Sequence, residues 1–194
     1  HENPPEKKLK VREYFNTATI TEELPKARLA HENAISLASN IISEVREGKK
    51  LNLEDVRSAV EPVVQSMLRN ADAFFWISNL RKRDAYQYSH AINCSLLAVA
   101  LGRHMGFAES VLMNLATGGL LLDIGKSELP QEMLDNPEPL GKTEMVMMRR
   151  HVTFGMQIVE SSGVHNLDVM NMISTHHERH DGSGYPKRLC RNQI

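Results

Sequence analysis

The apolar positions of this chain recur at steps of three and four, the spacing of helices rather than strands. From Thr21 onward Leu24, Ala27, His31, Ala34, Ala38, Ile41 and Val45 make one stripe, and Gly48 is placed to close that helix as a C-terminal cap. Asn52 can cap a second helix whose stripe is Leu53, Val56, Val60, Val63, Met67, Asn70, Phe74 and Ile77. Pro62 lies inside it and predicts a kink or split near Glu61. Two long, heptad-like helices joined by GKKLN predict an antiparallel hairpin over 21–83. It serves either as a docking or dimerising element or as a pair packed on the following domain. Residues 1–20, polar with a double proline, read as a tail or linker.

After Leu80 comes a charged break, RKRDAYQYS, and then AINCSLLAVALGRHMG from Ala91. That segment is apolar nearly all round and predicts a central helix opened by His90. Further helices are expected at 108–122, 143–161 and 168–177, with Gly, Pro and Asn between them. Strand-like alternation and internal repeats are absent. The predicted fold class is all-α.

Composition narrows the function classes. The 194 residues carry 23 basic and 24 acidic side chains, a net charge of −1, so no overall field draws a nucleic acid polymer or a membrane. No apolar run approaches the ~18 to 20 residues of a membrane span, and no signal peptide is visible. Cys94 and Cys190 fit no disulfide framework or zinc spacing, so a reducing cytoplasm is the expected setting. The first residue is His1, which suggests a fragment. Ten methionines and few aromatics suit a helical core.

The candidate chemistry lies in GGLLLDIGKS, residues 118–127. Asp123 closes an apolar run, and a buried carboxylate costs several kcal/mol, of order ~3 or more, unless a metal or cation pairs with it. Four predicted helices each bring a possible ligand: His90, Asp123, His151 within MRRHVTFG, and the pair His176–His177. Singly, each histidine is more often a satisfied core or surface residue. His104 lies about 21 Å beyond His90 at the helical rise, too far to share a metal. His1, His31 and His165 lack a ligand-like context. Cys94 is one turn from His90, where a packed structural thiol is the ordinary reading. The segment THHERHDGSGYPKRL changes the weighting. Adjacent histidines point about 100° apart on a helix, so they grip one metal only where the backbone turns. DGSGYP supplies such a turn.

Together, DAYQYSH, LLLDIGK with a proline four residues on, PLGKTE, MRRHVTFG and HHERHDGSGYP resemble the HD-GYP family. This is the metal-dependent branch of the HD phosphohydrolases that hydrolyses the bacterial messenger cyclic di-GMP. The resemblance covers 84–194 and implies an HD-type helical bundle preceded by the N-terminal hairpin. It implies that His90 is the first ligand histidine, Asp123 the metal-bridging, catalytic aspartate, and His151, His176 and His177 the holders of the second metal. Lys126 matches a catalytic lysine that contacts substrate phosphate. Arg179 and the signature loop of Asp181, Gly182, Gly184, Tyr185 and Pro186 match the edge of the site. Imidazole and carboxylate ligands suit iron, manganese or zinc, iron or manganese being favoured here. Two such metals sharing a bridging hydroxide supply a nucleophile at neutral pH.

The chain departs from the family pattern at two places. The HD pair reads Leu122–Asp123, and leucine cannot ligate. A further aspartate ligand expected beyond the GYP segment is not reached before Ile194, so the domain reads as truncated. Tyr86 stands where some members carry a glutamate ligand, which argues against a three-metal site. Counting ligands predicts one metal at most, or none, held by Asp123, His151, His176 and His177. The expected activity is hydrolysis of cyclic di-GMP to the linear dinucleotide or to GMP, impaired by Leu122. The alternative is an inactive module that binds cyclic di-GMP, or a protein partner through the GYP loop, with a homodimer formed through 21–80.

Overall fold

The computed structural model describes residues 11–78 and 86–193. The first ten residues, and residues 79–85 with the 83/84 domain boundary, lie outside the described residues. Helix α1, Ile20–Arg46, begins at a capping box: the Thr19 hydroxyl accepts from the Glu22 backbone N–H, and the Glu22 carboxylate accepts from Thr19 N–H at 2.9 Å. Its inner stripe of Ala27, Ala30, Ala34, Ala38, Ile41 and Val45 is buried, and the small alanines let α2 pack closely against it. Gly48 follows the helix end at φ +80°, the left-handed conformation a C-terminal cap requires.

Helix α2, Leu53–Arg69, starts at Asn52, whose side-chain oxygen accepts from Glu54 N–H at 3.0 Å. It runs through Pro62 rather than splitting there. Pro62 and Ser58, whose carbonyl the proline leaves unbonded, face solvent, while Val60, Val63, Val64 and Met67 are buried. A carbonyl on the solvent side is open to water, and the packing of the buried face holds the helix. The break comes instead at Asn70, with extended backbone (φ −160°, ψ 105°). The Asn70 carboxamide oxygen accepts from Ala73 N–H at 3.2 Å, and its nitrogen donates to the Ala18 carbonyl at 2.8 Å. Helix α3, Ala71–Ser78, is thus a separate element that buries Phe74 and Ile77. Residues 11–19 lie along the molecule, with Arg12 N–H donating to Gly106 and the Tyr14 hydroxyl to Phe107 carbonyls, both at 2.7 Å.

Helix α4, Tyr86–His104, begins a turn earlier than expected and is not apolar-buried all round. Leu97 and Leu101 are 61% and 60% exposed, so one face looks outward. Its other faces pack on α1, α2 and most extensively on α5, Glu109–Leu121. Gly119 makes that crossing possible, because a Cβ there would run into the Ser95 backbone. After α5 come a short 3-10 helix, Ile124–Glu128, and helices α6, Gln131–Asp135, and α7, Lys142–Arg149. Then come α8, His151–Ser161, α9, Leu167–Thr175, and a last 3-10 turn, Arg191–Gln193. The helix expected over 143–161 is interrupted at Arg150, whose N–H bonds three residues back to Met147. One apolar core runs from α1 through α9, shared by the hairpin and the later helices. No strand occurs among the described residues, apart from an isolated bridge between Asp181 and Cys190. The fold is all-α.

Candidate metal centre

Asp123 follows the end of α5, where the backbone tightens into the 3-10 helix. A Cβ at Gly125 would strike the His151 carbonyl and Gly155 N, so this glycine lets the 3-10 helix lie directly on α8. That contact brings His151, the first residue of α8, beside the aspartate. The sequence placed His151 mid-helix; the break at Arg150 instead puts it at a helix start. His176 and His177 were expected to end a helix, but α9 stops at Thr175 and both lie in the turn beyond it. The turn lets both rings face one point.

Asp123 and its partners divide by oxygen. His151 Nε2 is 3.3 Å and His176 Nε2 3.9 Å from Asp123 Oδ1, whereas Lys126 Nζ is 2.8 Å and His90 Nε2 3.7 Å from Oδ2. Asp123, His151, His176 and His177 each offer a ligand atom, all within 4.8 Å of one another. His90 stands on the other side of the carboxylate, 51% exposed.

Backbone carbonyls set the ring tautomers. His151 Nδ1 is 2.6 Å from the Met148 carbonyl and His176 Nδ1 is 2.8 Å from that of Ile173. A carbonyl can only accept, so each Nδ1 carries the proton and each Nε2 presents a lone pair. Those two Nε2 atoms face each other at 3.2 Å. Two lone pairs and a carboxylate oxygen at that range repel unless a cation lies between them. Two metal–nitrogen bonds of about 2.0 to 2.1 Å at the tetrahedral angle span about 3.3 to 3.4 Å, within about 0.2 Å of the 3.2 Å seen here. The donor set fits a divalent metal.

The charge states agree. Burial lowers the pKa of His151 and of His176. Burial, then the neighbouring His176 and His151, lowers His177 to about 4. Burial alone would raise the Asp123 carboxyl, but the charge and hydrogen bond of Lys126, with His151 and His176, hold it below its usual value. At neutral pH the pocket therefore presents three neutral imidazoles and one carboxylate.

The signature loop closes one side. Asp181 accepts from Ser183 N–H at 2.9 Å and from its hydroxyl at 2.6 Å, and Gly182 takes φ +78°. Tyr185 stacks on His177, with ring centroids 4.5 Å apart and planes 19° from parallel. Gly184 is buried in this loop and Pro186 is exposed. Arg179 is exposed and joins the loop through its carbonyl, which accepts from Gly182 N–H at 2.8 Å.

Several contributors escaped the sequence reading. The Glu178 carboxylate accepts from Lys187 and Leu189 N–H at 2.6 and 2.9 Å and ties the loop's return segment to the histidine turn. Arg149 lies 5.1 Å over the Tyr185 ring, and with Arg150 and Arg188 it lines a groove of about 520 Å³ beside the loop. Ile42 and Arg46 of α1 line a small cleft with His90, Asp123 and Lys126, so the hairpin borders the site. For these, only HHE and the run of arginines gave any signal; helix packing hid the rest. Cys94, noted in the sequence one turn from His90, places its Sγ 3.5 Å from His90 Nε2.

An all-helical bundle whose helix ends converge on one aspartate and several histidines defines a class of metal-binding helical proteins. Within it, this chain belongs to the HD domain family, whose pattern matches residues 63–194. It is 29% identical over 175 residues to a cyclic di-GMP phosphodiesterase of Pseudomonas aeruginosa, covering 90% of this chain and 42% of that protein. It is 31% identical over 157 residues to a 3'3'-cGAMP-specific phosphodiesterase of Vibrio cholerae, covering 80% of this chain and 26% of that one. A cyclic di-GMP phosphodiesterase of Thermotoga maritima is 34% identical over 113 residues, 58% of this chain and 31% of the relative. The chain thus spans less than half the length of these relatives. In fold it superposes on an HDG"Y"P protein of Bdellovibrio bacteriovorus with a TM-score of 0.70 at 19% identity, covering 90% of this chain and 60% of that one. No helix among the described residues is long and apolar enough to cross a membrane.

Proposed function

We propose that this chain is the metal-binding part of a cyclic di-GMP signalling protein, a phosphodiesterase whose turnover is impaired by Leu122. The observation that carries the reading is the pocket of Asp123 with His151, His176 and His177, where the His151 and His176 lone pairs turn inward. These four residues hold one divalent metal, with iron or manganese favoured. When bound, such a metal supplies Lewis-acid polarisation and lowers the pKa of water. Asp123 presents its second oxygen toward His90, and Lys126 offers its ammonium to the phosphate as negative charge builds on the oxygens. Arg149, Arg150 and Arg188 line the groove beyond Tyr185 and receive the anionic remainder of the dinucleotide.

A second reading follows from Leu122, which removes an imidazole from the His90 side of Asp123. There the chain binds cyclic di-GMP, or a protein partner at the GYP loop, without cutting. A second copy docking through 21–80 belongs to either reading, supported by outward-facing Leu29 and Trp76. A monomeric mass at high concentration removes that part.

The deciding assay incubates the full-length protein with cyclic di-GMP and manganese or iron under reducing conditions and follows linear product. Product that disappears in His176→Ala supports the phosphodiesterase. Tight binding with no product supports the binding module, and neither binding nor product overturns both.

A further inference from the structure

Helix α1 ends beside Asp123. Ile41 and Val45 are buried and anchor its last turns, and the helix packs on α4 and on the 3-10 helix Ile124–Glu128. Ile42 and Arg46, four residues apart and so on one face, line a cleft of about 70 Å³ whose walls also include His90, Asp123 and Lys126. Lys126 is committed there, its ammonium 2.8 Å from Asp123 Oδ2. Arg46 is exposed and forms no ion pair among the described residues, while its acidic neighbours along the chain, Glu44 and Glu47, pair with Lys49 at 3.5 and 3.1 Å. A cation in the last turn complements the helix dipole on any face, so the dipole alone does not require this one. We infer that Arg46 is a substrate contact: its guanidinium binds the phosphate that Lys126 faces, and the hairpin thereby supplies part of the site.

This rests on the proposed cyclic di-GMP reading and adds a residue to it. Arg46 precedes residues 63–194, which match the family pattern, so the contact belongs to this chain's hairpin rather than to that pattern. The cleft is far smaller than the about 300 to 1,000 Å³ that buries a whole small molecule, so it takes the edge of a phosphate and not a base. A guanidinium suits that edge, because two of its N–H groups meet two non-bridging oxygens in parallel. A cyclic dinucleotide carries two phosphodiesters. One meets Arg46 and Lys126, and the other reaches the groove of Arg149, Arg150 and Arg188.

Binding tests the assignment without turnover. Cyclic di-GMP affinity of the full-length protein, metal-free and zinc-loaded, is read by displacement of a fluorescent cyclic di-GMP analogue. Zinc affinity is read separately by competition with a chelating dye. Arg46→Ala is expected to weaken cyclic di-GMP binding at least ~10-fold, the loss of a charged hydrogen-bond pair. Arg46→Lys falls between it and the unmodified protein, because an ammonium keeps the charge without the fork. Arg28→Ala removes the same charge from an exposed position nearer the start of α1 and leaves the affinity as it was. Zinc affinity is the same in all of them, since Arg46 is no metal donor. Equal binding by Arg46→Ala and the unmodified protein overturns the Arg46 contact and leaves the cyclic di-GMP reading standing. Equal losses in Arg46→Ala and Arg28→Ala reduce the effect to overall charge and overturn it too. A loss of zinc affinity in Arg46→Ala shows that the residue acts through the fold of the site, which also overturns the contact. No cyclic di-GMP binding by the unmodified protein, with zinc or without, overturns both.

Discussion

Glu23 and Asp123 are both carboxylates set into apolar helix packing, and they are treated in opposite ways. Glu23 is fully buried on α1, yet each oxygen is taken: Arg69 donates to both at 2.7 Å and Ser66 donates to one at 2.7 Å. Every partner is a donor, and the cluster is electrically closed. Asp123 has a single donor of full charge, Lys126, and at its other oxygen stand the His151 and His176 nitrogens that bear lone pairs. The first cluster fastens α1 to α2. The second gathers acceptors around a point where only a cation satisfies them. A buried charge is thus read by whether its partners complete it.

The sharpest break in this comparison is at the closed cluster. Arg69→Met leaves the Glu23 carboxylate buried with Ser66 alone, a loss of about 3 kcal/mol in folding stability. That is a fall in Tm on the order of 10 °C for a chain of this size. Removing both charges, as Glu23→Met with Arg69→Met, is expected to recover most of it, because a well-packed apolar pair replaces a charged one at little cost. Thermal unfolding of the two variants checks this, while zinc affinity stays unchanged in both. Asp123→Asn does the reverse. It removes a carboxylate that the partly exposed Lys126 compensates from one side, so the metal-free protein loses far less stability than Arg69→Met does. Its zinc affinity falls at least ~100-fold, about 2.7 kcal/mol, as read by competition with a chelating dye. If Asp123→Asn instead unfolds the metal-free protein, the two clusters are alike and the comparison fails.

The two carboxylates also differed in how far the sequence revealed them. Asp123 stood out because it ended the run GGLLL and was followed by GK, and because histidines recurred in blocks of known order. Glu23 did not, since the stripe on α1 was counted from Leu24, and nothing within the helix indicates that Arg69 lies opposite. The hairpin was visible as spacing, as were its Asn52 and Gly48 caps. Asn70 fitted the same spacing and was counted as core, although its carboxamide starts a new helix. Spacing shows which residues share a face of one element, whereas these misses all concern what a second element brings to that face.

Gly125→Ala tests the crossing on which the open cluster depends. The added methyl meets the backbone of His151 and Gly155, which cannot yield as a side-chain tip would. The 3-10 helix and α8 must separate, at about 2 kcal/mol of stability. Zinc affinity falls with it because His151 moves relative to Asp123. Gly163, at φ +82° with open space around it, supplies the control. Gly163→Ala carries a backbone cost of about 1 kcal/mol and leaves zinc affinity as it was. Equal loss of zinc affinity in both variants would show that the crossing does not position the ligand.

The smallest effect separates the clusters by pH in the metal-free protein. The site histidines and His31 are held below 6.5 by burial, so the unfolded chain binds more protons as pH falls. Their contribution is whole above pH 6.5 and is lost on acidification, the His177 share being spent by about pH 4. The Glu23 carboxyl is raised by burial but lowered further by Arg69 and Ser66, so its net value lies below 4.5. Its contribution therefore survives down to pH 4.5 and is lost only below it. Asp123, also lowered, follows it in the acid range. Denaturant midpoints measured from pH 7.5 to 3.5 are expected to fall in two stages. His177→Gln reduces the first stage by on the order of 1 kcal/mol once solvent screening is allowed for, and leaves the second. Glu23→Gln reduces only the second. A His177→Gln profile that parallels the unmodified protein throughout would mean that the open cluster carries no protonation cost, and its imidazoles would then be solvated rather than held for a metal.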